Sequence, residues 1–153
     1  MANTYSQIYI HIVFVVKGRV NLIAENHREE LQKYITGIVT NRGQKLIAIY
    51  CMPDHTHVFV GMKPIINISE LTRDMKAGSS KFINDNKWIA GKFSWQEGFG
   101  AFSHSNDRVS IVANYINTQK EHHAKKTFKE EYLQLLKESD VEYDEKYLFE
   151  WVD

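Results

Sequence analysis

His55-Thr56-His57 is the first place in the chain where residue type and spacing together spell chemistry. Side chains alternate along an extended strand, so histidines two residues apart project to the same face. Their ring nitrogens can share one metal ion, but two imidazoles make only part of a metal site, and a further ligand must come from elsewhere. Tyr115 and Gln119 form a second pair. Four residues apart in a helix, they stand one turn apart on one face. A phenol there can attack phosphorus, and a glutamine carbonyl oxygen is a neutral, hard ligand suited to Mg²⁺ or Mn²⁺. His122, seven residues after Tyr115, lies near the same stripe and rivals Gln119 as third ligand. His11 is placed on a strand where it can support a ligand from behind.

The elements that must position these groups follow from periodicity. Residues 8–16 alternate, with Ile8, Ile10, Ile12, Phe14 and Val16 on one side and Tyr9, His11, Val13 and Val15 on the other. Apolar residues on both faces predict a central strand. Glu25 to Arg42 predicts a helix with Leu31, Tyr34, Ile35, Ile38 and Val39 on its buried stripe and a stop at Asn41-Arg42-Gly43. Lys45–Met52 and His55–Met62 read as two strands of a hairpin joined at Pro53-Asp54. Ser69 is expected to cap a helix running to about Asn86. The segment FSWQEGFGAFS, Phe93 to Ser103, reads as a fourth strand with a bend, and Ser105 is expected to cap a helix to about Lys125. Thr127-Phe-Lys-Glu130 is a capping box that opens a helix to about Ser139, and the acidic, aromatic stretch behind it is expected to fold onto the body. This order predicts an α+β fold: a ferredoxin-like βαββαβ core, an antiparallel sheet with helices on one face, and extra C-terminal helices.

Length and composition set the frame. At 153 residues and 43% hydrophobic, the chain is expected to be one domain, 1–153, with a core of about residues 5–126 and an acidic helical segment from 127 onward. Cys51 is the one cysteine, which excludes an internal disulfide and, together with a first strand that does not read as a signal peptide, predicts a cytoplasmic protein. No apolar run is long enough for a membrane span. The net charge of zero conceals a division: residues 1–126 carry 16 Lys and Arg against 10 Asp and Glu, and residues 127–153 carry 3 against 9. A basic body can hold phosphate even in a neutral chain, because local potential steers a ligand. Arg73, Lys76 and Lys81 on the second helix, and Lys17 and Arg19 at the end of the first strand, are candidate contacts to a DNA backbone. Trp88, Trp95, Phe99 and Phe102 are candidates either to stack an unpaired base or to fill the core.

Five stretches in order carry a resemblance: YIHIVFVVKGR, MPDHTHVFV, RDMKAGSSKFIN, FSWQEGFGAFS and YINTQKEHHAKKTF. Together they resemble the HUH-type single-tyrosine transposases of the insertion-sequence 200/605 family and their domesticated relatives, the REP-associated tyrosine transposases. Thr56 departs from the bulky apolar residue usual between the two histidines, but on a strand it points away from them. The resemblance implies that His55, His57 and Gln119 bind a divalent cation and that Tyr115 attacks a phosphodiester of single-stranded DNA. It implies a 5′-phosphotyrosine intermediate, DNA hairpins marking the element ends, and a homodimer. Two alternatives stay open: a domesticated nickase of hairpin repeats, and a non-catalytic regulator that binds DNA hairpins.

Overall fold

The computed structural model describes residues 4–144 and Leu148. Strand β1, Ile8–Val15, lies inside a four-stranded sheet of order β2-β3-β1-β4, with β2 at Lys45–Cys51, β3 at His55–Met62 and β4 at Gly100–His104. Every pairing is antiparallel. The central position of β1 explains its two apolar faces.

Helices α1, Arg28–Asn41, and α2, Ile68–Asp85, cover one face. Leu31, Ile35 and Val39 of α1 and Leu71, Met75 and Ile83 of α2 pack there with Ile10, Ile12, Phe14, Val58 and Val60. These are the two helices of the βαββαβ core, on one face as expected. A 3-10 turn at Glu25–His27 precedes α1, so the regular helix starts three residues later than the apolar pattern does. The N-cap of α2 is Asn67 rather than Ser69: its side chain accepts from the Glu70 backbone N–H at 2.8 Å.

The opposite face carries the C-terminal helices. Val109–Asn117 is α3, Gln119–His123 is α4, and Phe128–Glu138 is α5. Val112 and Ile116 of α3 pack on Ala48 and Phe59, while Phe128, Tyr132 and Leu136 of α5 pack on Val13, Val15 and Phe102. The expected capping box is present: Thr127 accepts from the Glu130 backbone and Glu130 reaches back to Thr127. Gly100 lets α5 approach, since a Cβ there would stand 2.6 Å from the Tyr132 hydroxyl.

Three expectations change. The single helix expected from Ser105 to Lys125 begins with a 3-10 turn, Asn106–Arg108, and breaks at Thr118. Ser105 caps no backbone N–H; its hydroxyl donates to Asp107. The expected bent fourth strand is interrupted: Trp95 makes an isolated antiparallel bridge to Val16, and regular strand is confined to Gly100–His104. Phe93 and Trp95 are buried, and Trp95 Nε1 donates to Ser79 Oγ at 2.9 Å. Phe102 is likewise buried, and Trp88 stacks on His27 and meets Phe82 edge-on, so three of the four candidate stacking aromatics are core or half-core residues. Cys51 is buried, and burial pushes its thiol up to about 12. No helix of the described residues is long and apolar enough to cross a membrane. Most of the acidic, aromatic stretch after residue 139 lies outside the described residues.

Candidate active site

Register fixes the two imidazoles. His55 stands opposite Val15 and His57 opposite Val13 on β1, so both project to the face covered by α3 and α5. Both are fully buried, and Thr56 between them is turned to the other face. Asp54, in the hairpin turn, holds His55 Nδ1 at 2.6 Å. His11 on β1 reaches across to His57, with Nε2 2.7 Å from His57 Nδ1. His11 is a hydrogen-bonded histidine of the sheet that lies directly behind His57. Each histidine is thus held by one ring nitrogen, which orients the other.

Those other nitrogens face a carboxylate. Glu131 of α5 is buried, and its Oε1 lies 3.1 Å from His57 Nε2 and 3.7 Å from His55 Nε2. His123 of α4 joins them, with Nε2 3.2 Å from the same oxygen. One ligand atom from each of His55, His57, His123 and Glu131 can be chosen so that all four lie within 4.8 Å of one another. Gln119 is buried beside this group, its Oε1 3.1 Å from His123 Nε2. His122 stands apart from it: its ring lies 4.8 Å from that of Tyr115 and its Nε2 is 3.0 Å from Thr118 Oγ1.

Tyr115 completes the site. Its hydroxyl donates to Glu131 Oε2, and its ring lies edge-on to His57 with centroids 6.2 Å apart. The phenol and the imidazole pair therefore meet within one chain. Burial, then the Glu131 charge and hydrogen bond, push the Tyr115 pKa far above its ordinary value, so the phenol is protonated at neutral pH. Burial opposes ionisation of Glu131, but hydrogen bonds from His123 and His57 and the Tyr115 hydroxyl hold it well below the usual carboxylate range. Burial takes His55 down to about 4 against the pull of Asp54. Burial, with His57 and His104 nearby, holds His11 well below its ordinary value. Neutral imidazoles and an ionised carboxylate are the forms that bind metal.

The donor set fits a divalent ion on an independent observation. His55 Nε2 is buried without a hydrogen-bond partner, although its ring is fixed by Asp54. An orphaned nitrogen of this kind, 3.7 Å from an ionised carboxylate oxygen, is a ligand position. Imidazole nitrogen with carboxylate and amide oxygen accommodates Mn²⁺ and Mg²⁺.

Residue pattern alone pointed to His55, His57, Tyr115, Gln119 and His11, and all five meet here. It missed His123 and Glu131. His122 keeps the place that seven-residue spacing gives it, beside the Tyr115 ring, while His123, four residues after Gln119, shares that residue's face and meets its amide oxygen. Glu131 had no signal beyond its place in the first turn of α5, where acidic residues are ordinary. Of the candidate DNA contacts, Lys17, Arg73 and Lys81 are exposed, and Arg19 is half-buried. Lys81 pairs with Asp85 at 2.6 Å. Lys76 donates to the carbonyls of Gln96 and Gly98 at 2.8 and 2.9 Å, which ties α2 to the aromatic segment.

Residues 4–119 match the family model of IS200-like transposases. The ISDra2 transposase TnpA of Deinococcus radiodurans is 21% identical over 120 residues, covering 74% of this chain and 84% of that protein. A crystal structure of a Deinococcus radiodurans R1 protein assigned as a transposase superposes with a TM-score of 0.61 at 20% identity, over 76% of this chain and 94% of the other. A REP-associated tyrosine transposase bound to a REP hairpin superposes with a TM-score of 0.59 at 16% identity, over 79% and 72%.

Proposed function

The chain belongs to the IS200-like transposases, and on that premise we propose that it cuts and rejoins single-stranded DNA through Tyr115 in a metal-dependent reaction. The observation that carries the reading is the meeting of the Tyr115 hydroxyl with the His55–His57 pair on Glu131, inside one chain. In the reaction, the Tyr115 oxygen bonds to phosphorus and the bond from phosphorus to the 3′ oxygen breaks. The products are a 5′-phosphotyrosine and a free 3′-hydroxyl; the phenolic proton ends on the leaving oxygen or in solvent. Attack by another 3′-hydroxyl on the phosphotyrosine reverses the exchange, so strands rejoin without an energy source.

His55 and His57 hold the divalent cation, Mg²⁺ or Mn²⁺. The oxygen donor is Gln119 by the resemblance and Glu131 by distance. When bound, the ion supplies positive charge that polarises the phosphate and favours the phenolate. His11 and Asp54 keep the two imidazoles in the ligating orientation. α5 roofs the site and shields the phosphotyrosine from water.

The substrate is a strand that carries a hairpin. A REP hairpin occupies one protein of the same fold, and Lys17 and Arg73 are exposed cations suited to a DNA backbone, with Lys81 exposed but paired to Asp85. Homodimer formation belongs to the same reading, although the site as it stands uses residues of one chain. The test is to incubate the protein with end-labelled single strands from the flanks of its gene, in Mn²⁺, Mg²⁺ or chelator. A protein-linked product is expected on a denaturing gel with metal only. Tyr115→Phe removes it while hairpin binding persists; an adduct formed by that variant refutes the nucleophile assignment.

A further inference from the structure

We propose that the cleft between α3 and α5 receives one unpaired nucleotide of the DNA strand, next to the phosphate that Tyr115 attacks. The inference rests on the reaction assigned to Tyr115 and adds a subsite to it. The cleft measures about 490 Å³ and Tyr115 forms part of its wall. Pockets of this size suit ligands as large as a nucleotide.

Its walls and floor differ in chemistry. Ile111 and Val112 from α3 face Leu135 from α5, two apolar surfaces between which a base can lie flat. Ile111 is 53% exposed, an apolar side chain on the open side of α3 between the exposed Arg108 and the half-buried Tyr115. The floor is His11 and His104. His104 Nε2 is buried with no hydrogen-bond partner. A buried polar atom left unpaired is costly, and a base on this floor can supply its partner once the His104 ring turns toward the cleft. Burial and then Arg108 hold His104 below its ordinary pKa, so the ring is neutral and can accept as well as donate.

The rim carries Arg108, Lys125 and Lys126. Cations at the mouth of an apolar slot match a nucleotide, with its base inside and its phosphates outside. Two carboxylates also line the cleft. Glu131 is already engaged by His57, His123 and Tyr115, and Glu138 accepts from Gln134 at 2.8 Å. Glu138 keeps its charge, so the three cations at the rim outnumber one free carboxylate. Because the slot adjoins the nucleophile, the base it prefers contributes to the choice of cleavage site.

The test uses a DNA hairpin from the flank of the gene with an unpaired arm, in which each arm nucleotide is made abasic in turn. Binding is measured with Tyr115→Phe protein, in Mn²⁺ and in chelator, so that no bond is cut. One abasic position is expected to weaken binding about tenfold, as loss of a stacked base does. Ile111→Ala and His104→Ala are expected to weaken the intact arm and to leave the strand abasic at that position unchanged. Ile111 is exposed, so its variant tests the slot even if His104→Ala folds poorly. Equal losses by these variants on intact and abasic strands overturn the proposal, as does an arm with no sensitive position. Adduct formation by wild-type protein without this coupling keeps the reaction and removes the subsite. Coupling without any adduct keeps the subsite and removes the reaction.

Discussion

Mixing two inactive variants tests whether the site works within a single chain. Tyr115→Phe keeps the metal ligands and His57→Ala keeps the nucleophile. If sites form between subunits, a mixed dimer holds one intact combination out of two, and random pairing restores about a quarter of wild-type sites. If sites form within the chain, mixing restores nothing. The structure favours the second result by a sizeable margin. Lifting α3 away exposes Val112 and Ile116, both buried, at about 1.5–3 kcal/mol each. It also breaks the hydrogen bond from Tyr115 to the buried Glu131 carboxylate, worth about 1.5–3 kcal/mol. The total of about 5–9 kcal/mol leaves fewer than about one chain in a thousand with α3 displaced. Only a partner helix that refills the same groove can offset that cost. The assay is the covalent adduct on a denaturing gel, with the two variants purified separately and incubated together before DNA is added. Recovery near a quarter of wild-type refutes the single-chain site.

Further outcomes follow from the same geometry. Mn²⁺ at about a hundred times its Kd should raise Tm by about 5–10 °C, and chelator should reverse the shift; His57→Ala should abolish it. That variant should also lose about 1–3 kcal/mol of stability without metal, because His11 and Glu131 lose a buried partner. Glu131→Gln should bring the Tyr115 pKa down, since its charge is one cause of the upward shift, and should weaken the Mn²⁺ effect on Tm; an unchanged Tm shift removes Glu131 from the metal site. Acid should destabilise the metal-free protein. His55 titrates near 6.5 when unfolded and about 4 when folded, so the unfolded chain takes up its proton first as pH falls. Stability is then full above about 6.5 and declines toward 4, by about 3 kcal/mol from His55 alone. A denaturant series in that window should show a shallower decline for His55→Asn, and an identical decline contradicts the assignment.

Much of this arrangement was legible because it depends on local rules. The alternation of Ile8 to Val16 is a two-faced strand wherever it sits, and β1 is central. Thr127 and Glu130 need only each other to form a capping box. The hairpin turn at Pro53-Asp54 set the phase that turns His55 and His57 to one face. What could not be read depends on neighbours distant in sequence. Phe93 and Trp95 have strand-like propensity, yet the core draws them in, and only an isolated bridge from Trp95 to Val16 precedes the regular strand Gly100–His104. Thr118 interrupts a helix that periodicity treats as continuous, and that His123 rather than its neighbour meets a carboxylate depends on where α5 carries Glu131. Glu131 becomes part of the site because Gly100 admits Tyr132, a contact between β4 and α5 that no spacing rule within either element contains.

The family match ends at residue 119, whereas the group that touches the nucleophile and both imidazoles sits at residue 131. One carboxylate therefore has two opposed effects. It holds the phenol beside His57, and it keeps the proton on that phenol. A scissile phosphate brings a second negative charge to the same few ångströms, where low polarity makes like charges costly. His55 and His11 are held neutral and add no charge to balance two anions. A buried anion, an incoming anion and an unpaired imidazole nitrogen together call for a dication at this place. The proposed metal dependence thus has a cause in the charges that α5 brings to the sheet, and in the proposed reaction the same charges leave the phenol positioned but protonated until ion and strand arrive.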